Sequence, residues 1–205
     1  MTRVVLLAVM AVAVYAQTAL ESDLVRAAEI GDVIKVRTLL EAGANPNLPK
    51  NFSALEAAAA AAYPRVVEEL LKHHPDVNQR DSAGRTALNA LGQSAVGLPG
   101  ENPAEVARLL IEAGADVNAQ DNIYGNTPLH EVSDAATAKA LIQAGANLNR
   151  RNMEGQTALM VTLDPEVARV LLAAGADKTV RDKNGKTALD LARELELTEK
   201  IALLK

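Results

Sequence analysis

The chain has 205 residues, 49 % of them hydrophobic, and a formal net charge of −5, a balance that suits a folded domain rather than a disordered one. An acidic chain whose longest basic run is the pair Arg150-Arg151 argues against nucleic acid, because neutralising phosphate dominates that affinity. Cysteine is absent, which excludes disulfides, thiolate metal sites and thiol catalysis.

The first predicted element is an address. Arg3 supplies one positive charge, Val4 to Val14 is an unbroken apolar run of 11 residues, and Val14-Tyr15-Ala16 places modest side chains where a signal peptidase reads. That order predicts a secretory signal peptide over 1–16, with Gln17 as the new N-terminus. The run is shorter than the roughly 20 apolar residues that span a bilayer, so no stable membrane insertion is expected after its removal. The rival reading is a buried N-terminal helix packed on the first unit. The mature chain is expected in the periplasm or outside the cell.

Residues 17–205 are predicted to form one domain of about six units, 21–50, 51–83, 84–124, 125–154, 155–184 and 185–205. In the first, Leu24, Ala27-Ala28, Val36 and Leu39-Leu40 recur at helical spacing, and Gly43 ends the second helix. The second opens on Ser53-Ala54-Leu55, has small side chains over Ala57–Ala62, starts its second helix at Pro64, and closes on His74-Pro75 where the other units have Gly-Ala. The third opens on Gly84-Arg85-Thr86-Ala87-Leu88 and closes on Gly114-Ala115-Asp116; between them lies a Gly- and Pro-rich insertion, Ser94–Pro103, either a contact loop or a tolerated surface insertion. Asn102, Pro103 and Glu105 predict a capping box there, and Asp164-Pro165 a cap in the fifth unit. Gly125, Gly155 and Gly185 stand 30 residues apart, whereas Gly84 and Gly125 are separated by 41.

Gly125-Asn126-Thr127-Pro128-Leu129-His130, closed by Gly145-Ala146-Asn147, resembles the ankyrin-repeat signature. With its echoes at Gly84, Gly155 and Gly185, the resemblance covers 21–205, although one unit alone has the full Thr-Pro-Leu-His. It implies an all-α solenoid of stacked helix-turn-helix units with β-turn fingers, whose neighbours share a continuous core because no unit can bury its apolar face alone. It also implies that His130 bonds the turn. Thr at each helix start is expected to cap free N–H groups, and the Leu-Leu pairs to fill the seam between layers.

No phosphate loop, dinucleotide fingerprint or His-Glu-x-x-His is present, so no catalytic residue, cofactor or metal is assigned and the chain is read as a non-enzyme. His73, His74 and Asp76 could serve a hydrolase or a metal-dependent enzyme if they converged, but adjacent residues at a helix end do not face one point. The family resemblance implies a partner protein held by the finger tips and the concave helix face. The positions are Phe52, Arg85, Ile123, Tyr124, Asn126, Glu131, Met153, Glu154, Gln156, Asn184 and Lys186, with Ala57, Ala60, Ala90, Gln93 and Val161 on the helix face. Phe52 and Tyr124 are either binding hot spots or covers for turn backbone. The expected protein is a monomeric, non-catalytic interaction module. Support of oxidative-stress defence follows from family analogy, and an immunity or inhibitor protein that blocks a cognate toxin or enzyme is the alternative.

Overall fold

A computed structural model describes residues 17–49, 52–91 and 102–205. Residues 1–16, where the signal peptide is expected, Lys50-Asn51, Gln93 and most of the insertion lie outside these residues. The described chain is helical and contains no strand. Helix α1 covers 17–29. It is followed by α2 Val33–Glu41, α3 Ala54–Ala60, α4 Pro64–Leu71, α5 Ala87–Ala90, α6 Pro103–Glu112, α7 Pro128–Glu131, α8 Ala135–Gln143, α9 Ala158–Val161, α10 Pro165–Ala173, α11 Ala188–Glu194 and α12 Thr198–Leu204.

Two layers run side by side. Helices α3, α5, α7, α9 and α11 each pack on the next to form one layer, and α2, α4, α6, α8, α10 and α12 do the same in the other. Each of the last five units contributes one helix to each layer, as the repeat pattern predicts. The seam is filled by Leu55, Leu88, Leu129 and Leu159 from the first layer and Leu70, Leu110, Leu141 and Leu171 from the second, all fully buried. Each such side chain stabilises the fold by about 1.5–3 kcal/mol. In the predicted Leu-Leu pairs from Leu70-Leu71 onward the first member is buried and the second half-buried, so one residue of each pair carries the seam. Ala57, Ala58, Ala59 and Ala90 are buried as well. The expectation that Ala57 and Ala90 line an open face is therefore corrected: α3 lies between α4 and α5, where small side chains let backbones approach.

The 30-residue period has a specific origin. Helices α7 and α9 have four residues each, against seven in α3 and α11, so the missing turn comes from the first layer. After α7 and α9 the chain leaves in extended conformation at Val132 and Thr162, with ψ of 138° and 135°. After the longer α3 and α11 it reverses through Ala62 and Glu196 at positive φ.

Local caps follow the sequence in part. Ser53 Oγ accepts from the Glu56 N–H, and Asp32, Asp134 and Asp164 cap their helices in the same way. Asn102 accepts from the Glu105 N–H, but the predicted capping box is not closed. The Asn102 N–H donates to the Ala62 carbonyl, and the Glu105 carboxylate pairs with Arg108. Thr157 makes no side-chain cap. His74, at φ 50°, takes the left-handed position that Gly43, Gly114, Gly145 and Gly175 hold elsewhere.

Polar rungs join the units beyond the apolar seam. Asn47, Asn78, Asn118 and Asn149 each accept, through Oδ1, an N–H of the next unit, from Asp76, Asp116, Asn147 and Asp177, at 2.7–2.9 Å. At the C-terminal end Lys200 of α12 is 1 % exposed, and its Nζ donates to the Met160 and Thr162 carbonyls at 3.1 and 2.5 Å. Those carbonyls sit at the end of the shortened α9, where helix acceptors are left open. No described helix is long and apolar enough to cross a membrane.

Candidate partner-binding surface

Four of the fingers between successive units are each built around one acidic or amide side chain at the base. Asp81 Oδ1 accepts from Ala83 N and Arg85 N, both at 2.8 Å. Asp121 accepts from Ile123 N, Tyr124 N and Asn126 N; Asn152 from Glu154 N and Gln156 N; Asp182 from Asn184 N and Lys186 N. Every tip thus hangs on its base residue through backbone N–H groups, which satisfies turn donors that would otherwise need water.

Neighbouring fingers are bonded to each other. Asn122 N donates to Ala83 O at 2.8 Å, Met153 N to Tyr124 O at 2.7 Å, and Lys183 N to Glu154 O at 3.0 Å. A second set of links uses side chains. Arg80 Nη1 donates to Gly84 O and Gln120 O, Gln120 Nε2 to Gly125 O and Arg151 O, and Arg151 to Gly155 O and Arg181 O. Behind the tips, His130 Nδ1 accepts from the Thr127 N–H at 3.2 Å, and its Nε2 meets Gln156 O at 3.1 Å. An acceptor Nδ1 fixes the proton on Nε2, so the ring bridges two fingers in its neutral form. Burial pushes its pKa below the usual histidine range.

Three of the exposed apolar side chains stand on this bonded edge, and Ile30, Ile34, Leu163 and Leu195 are exposed elsewhere. Ile123, Tyr124 and Met153 are 53 %, 61 % and 48 % exposed and sit on two fingers joined by the Met153–Tyr124 bond. Beside them is a notch of about 100 Å³ lined by Arg85, Asn89, Asp121, Ile123, Tyr124 and Glu131. The structure therefore brings together Arg85, Ile123, Tyr124 and Glu131 at one place. Asn126 stands just behind, donating to Glu131 and accepting from Asn152 Nδ2 at 2.9 Å. Glu154 and Asn184 are exposed at the next two tips, and Gln156 is half-buried under the His130 bridge. Lys186 pairs with Glu194 at 2.7 Å. Phe52 is apart from this group and packs, half-buried, against the core.

A larger hollow of about 400 Å³ lies on the edge away from the fingers, between Ile30-Gly31 and Tyr63-Pro64. None of the predicted partner-binding residues lines it. His73 and His74 are exposed, and the Asp76 carboxylate accepts the Asn78 N–H. No group of three or more metal-ligating side chains converges among the described residues.

The family model described as ankyrin repeats in three copies matches residues 24–121 and 93–182. The chain belongs to the ankyrin-repeat family. Ankyrin repeat and SOCS box protein 6 of Mus musculus is 31 % identical over 124 residues, 58 % of this chain and 28 % of its own length. Ankyrin repeat and SOCS box protein 16 of Homo sapiens is 36 % identical over 127 residues, with the same two shares. The chain thus spans little more than a quarter of these curated relatives. Among solved structures, a chain from the complex of a predatory endopeptidase of Bdellovibrio bacteriovorus with an immunity protein superposes at a TM-score of 0.76. That likeness has 27 % identity and covers 89 % of this chain and 96 % of the other. Ankyrin repeats are protein-binding modules, and the bonded row of fingers is this one's exposed, repeat-varying edge.

Proposed function

We propose that this ankyrin-repeat protein is a non-catalytic binder that holds another protein against the tips of the 121–126 and 152–156 fingers, and that it works after export, in the periplasm or outside the cell. The observation that carries the reading is the exposure of Ile123, Tyr124 and Met153 on adjoining fingers whose backbones are bonded to each other. Exposed apolar side chains on a rigid frame bind with little ordering cost, and tyrosine is enriched among residues that dominate interfaces. The export half rests on the order of charge, apolar run and small residues over 1–16.

A second reading makes the partner an enzyme that this chain blocks. The likeness to a chain from an endopeptidase–immunity protein complex supports it, since that likeness extends over nearly the whole of both chains.

A photo-crosslinking residue placed at Tyr124 or at Met153, in the chain expressed in its own host, tests the surface. Both positions are expected to give the same discrete adduct, and Ile34, 78 % exposed on the far edge, to give none. With the partner in hand, Tyr124→Ala should weaken binding by about 30-fold or more if it is a hot spot. Adducts from Ile34 alone, or unchanged affinity in Tyr124→Ala and Met153→Ala, would overturn the assignment. Export is read from the N-terminus of the recovered protein: Gln17 supports it, and an intact Met1 overturns it.

A further inference from the structure

Glu56 is chemically out of place. It is 4 % exposed, in a helix otherwise made of alanine and leucine. Its Oε1 has no hydrogen-bond partner and lies 3.5 Å from Arg85 Nη2. That guanidinium is committed elsewhere, with Nε and Nη2 donating to Asp81 Oδ2 at 2.9 and 2.7 Å. The Asp81 side chain is itself 3 % exposed, and its other oxygen organises the finger. Two buried carboxylates therefore share one arginine, and a buried ionised oxygen with no donor is costly. One added proton removes the conflict, because a protonated Glu56 is within reach to donate to Asp81.

We propose that Glu56 is a proton-operated latch on the 81–85 finger: protonated, it ties α3 to the Asp81–Arg85 pair, and ionised, it repels Asp81 and draws Arg85 away from it. Burial first, and then the Asp81 charge, push the Glu56 carboxyl up to about 7. Against its own burial, Asp81 is held below the usual carboxylate range by Arg85, so Glu56 is the member that takes the proton. The charged groups acting on Glu56 are Asp81 and Arg85, and Asp121 of the next finger acts on Arg85 in turn. Helix α5 brings no charge, and on the packed helix α4 Arg65 and Glu68 are exposed while Glu69 is held by Arg37 and Lys72. Because Arg85 lines the notch beside Tyr124, the latch sets the shape of that notch; this consequence for binding rests on the proposed function, whereas the latch itself does not.

The test follows the Glu56 carboxyl carbon and the Arg85 Nε–H by NMR from about pH 3 to 9, a range that brackets the ordinary carboxylate value. Both signals are expected to move with one midpoint near 7 rather than 4.5, with loss of exchange protection at the Ala83 and Arg85 amides above it. In Glu56→Gln the Arg85 step should vanish. A Glu56 midpoint near 4.5, or an Arg85 step that survives in Glu56→Gln, would overturn the latch; the wild-type titration decides alone if that variant does not fold. Affinity for a crosslinked partner, measured at pH 6 and 8, separates the two readings. No partner at either pH overturns the proposed function, while pH-independent affinity over a titrating Glu56 overturns control of the notch.

Discussion

Replacing Gly155 and, separately, Gly185 by alanine isolates what the bonds between fingers contribute. The two glycines occupy equivalent turns, at φ 75° and 76°. Each alanine therefore meets the same left-handed penalty, about 1–2 kcal/mol. Their surroundings differ. A Cβ at Gly185 meets nothing within 4 Å, whereas one at Gly155 sits 3.2 Å from Lys183 N and 2.9 Å from Arg151 Nη2. Lys183 N is the donor to Glu154 O, and Arg151 holds Gly155 O and Arg181 O. The arginine tip can swing aside, but the Lys183 backbone moves only if its finger moves. Losing two such bonds at a net 0.5–1.5 kcal/mol each gives Gly155→Ala an excess of about 1–3 kcal/mol. For a chain of this size that is about 3–10 °C of additional loss in Tm. Urea and thermal unfolding followed by circular dichroism measure the difference, with equal m values as the check that both variants unfold alike. Equal losses in the two variants, within about 0.5 kcal/mol of each other on the scale of such bonds, would refute the claim that adjacent fingers are coupled through this contact.

Two further outcomes follow from local geometry. His74→Gly should stabilise the chain by about 1 kcal/mol, read by urea unfolding, because a residue with a Cβ now holds a left-handed turn that glycine adopts freely. Lys200, pushed down to about 8 by burial, should give stability a slope in alkaline buffer. The folded chain releases that proton before the unfolded chain does, so the stability is fully present above the ordinary 10.5 and is lost as pH falls towards 8. The span is about 3 kcal/mol. Lys200→Met should remove that slope between pH 8 and 10, at the cost of leaving the Met160 and Thr162 carbonyls without their donor, and an unchanged slope would show that the ammonium is not desolvated.

What the sequence made legible is what a single unit needs for itself. Gly84, Gly125, Gly155 and Gly185 marked the turns, Ser53 and Asp164 the helix starts, and the leucine pairs the seam, because each of these acts within a few residues. The rungs made by Asn78 on Asp116 and by Arg151 on Arg181 act across 38 and 30 residues and could not be read from either unit alone. A signal existed in the finger bases, with Asp81, Asn152 and Asp182 three residues ahead of their finger glycine and Asp121 four ahead of Gly125. The surface was legible in outline. Tyr124, with Ile123 and Met153 around it, stands out as its sequence position suggested, but Phe52 packs inward because its finger precedes the alanine-rich α3. Arg85 is expected from the sequence at a partner-binding tip and is held by Asp81; the buried Glu56 that competes for it carried no mark in the sequence beyond being an acid among alanines.

The uniform rungs also bear on how such a chain changes length over descent. Asn152 and Asp182 play the same part in successive fingers, and Met153 and Lys183 present the same backbone donor to the finger before them. Excising residues 152–181 would leave Lys183 N facing Tyr124 O and Lys186 O facing His130, with no new kind of contact required. The joint is generic while the tips are individual, so recombination at this point could lengthen or shorten the array and exchange its recognition surface in a single event, without passing through an unfolded intermediate sequence.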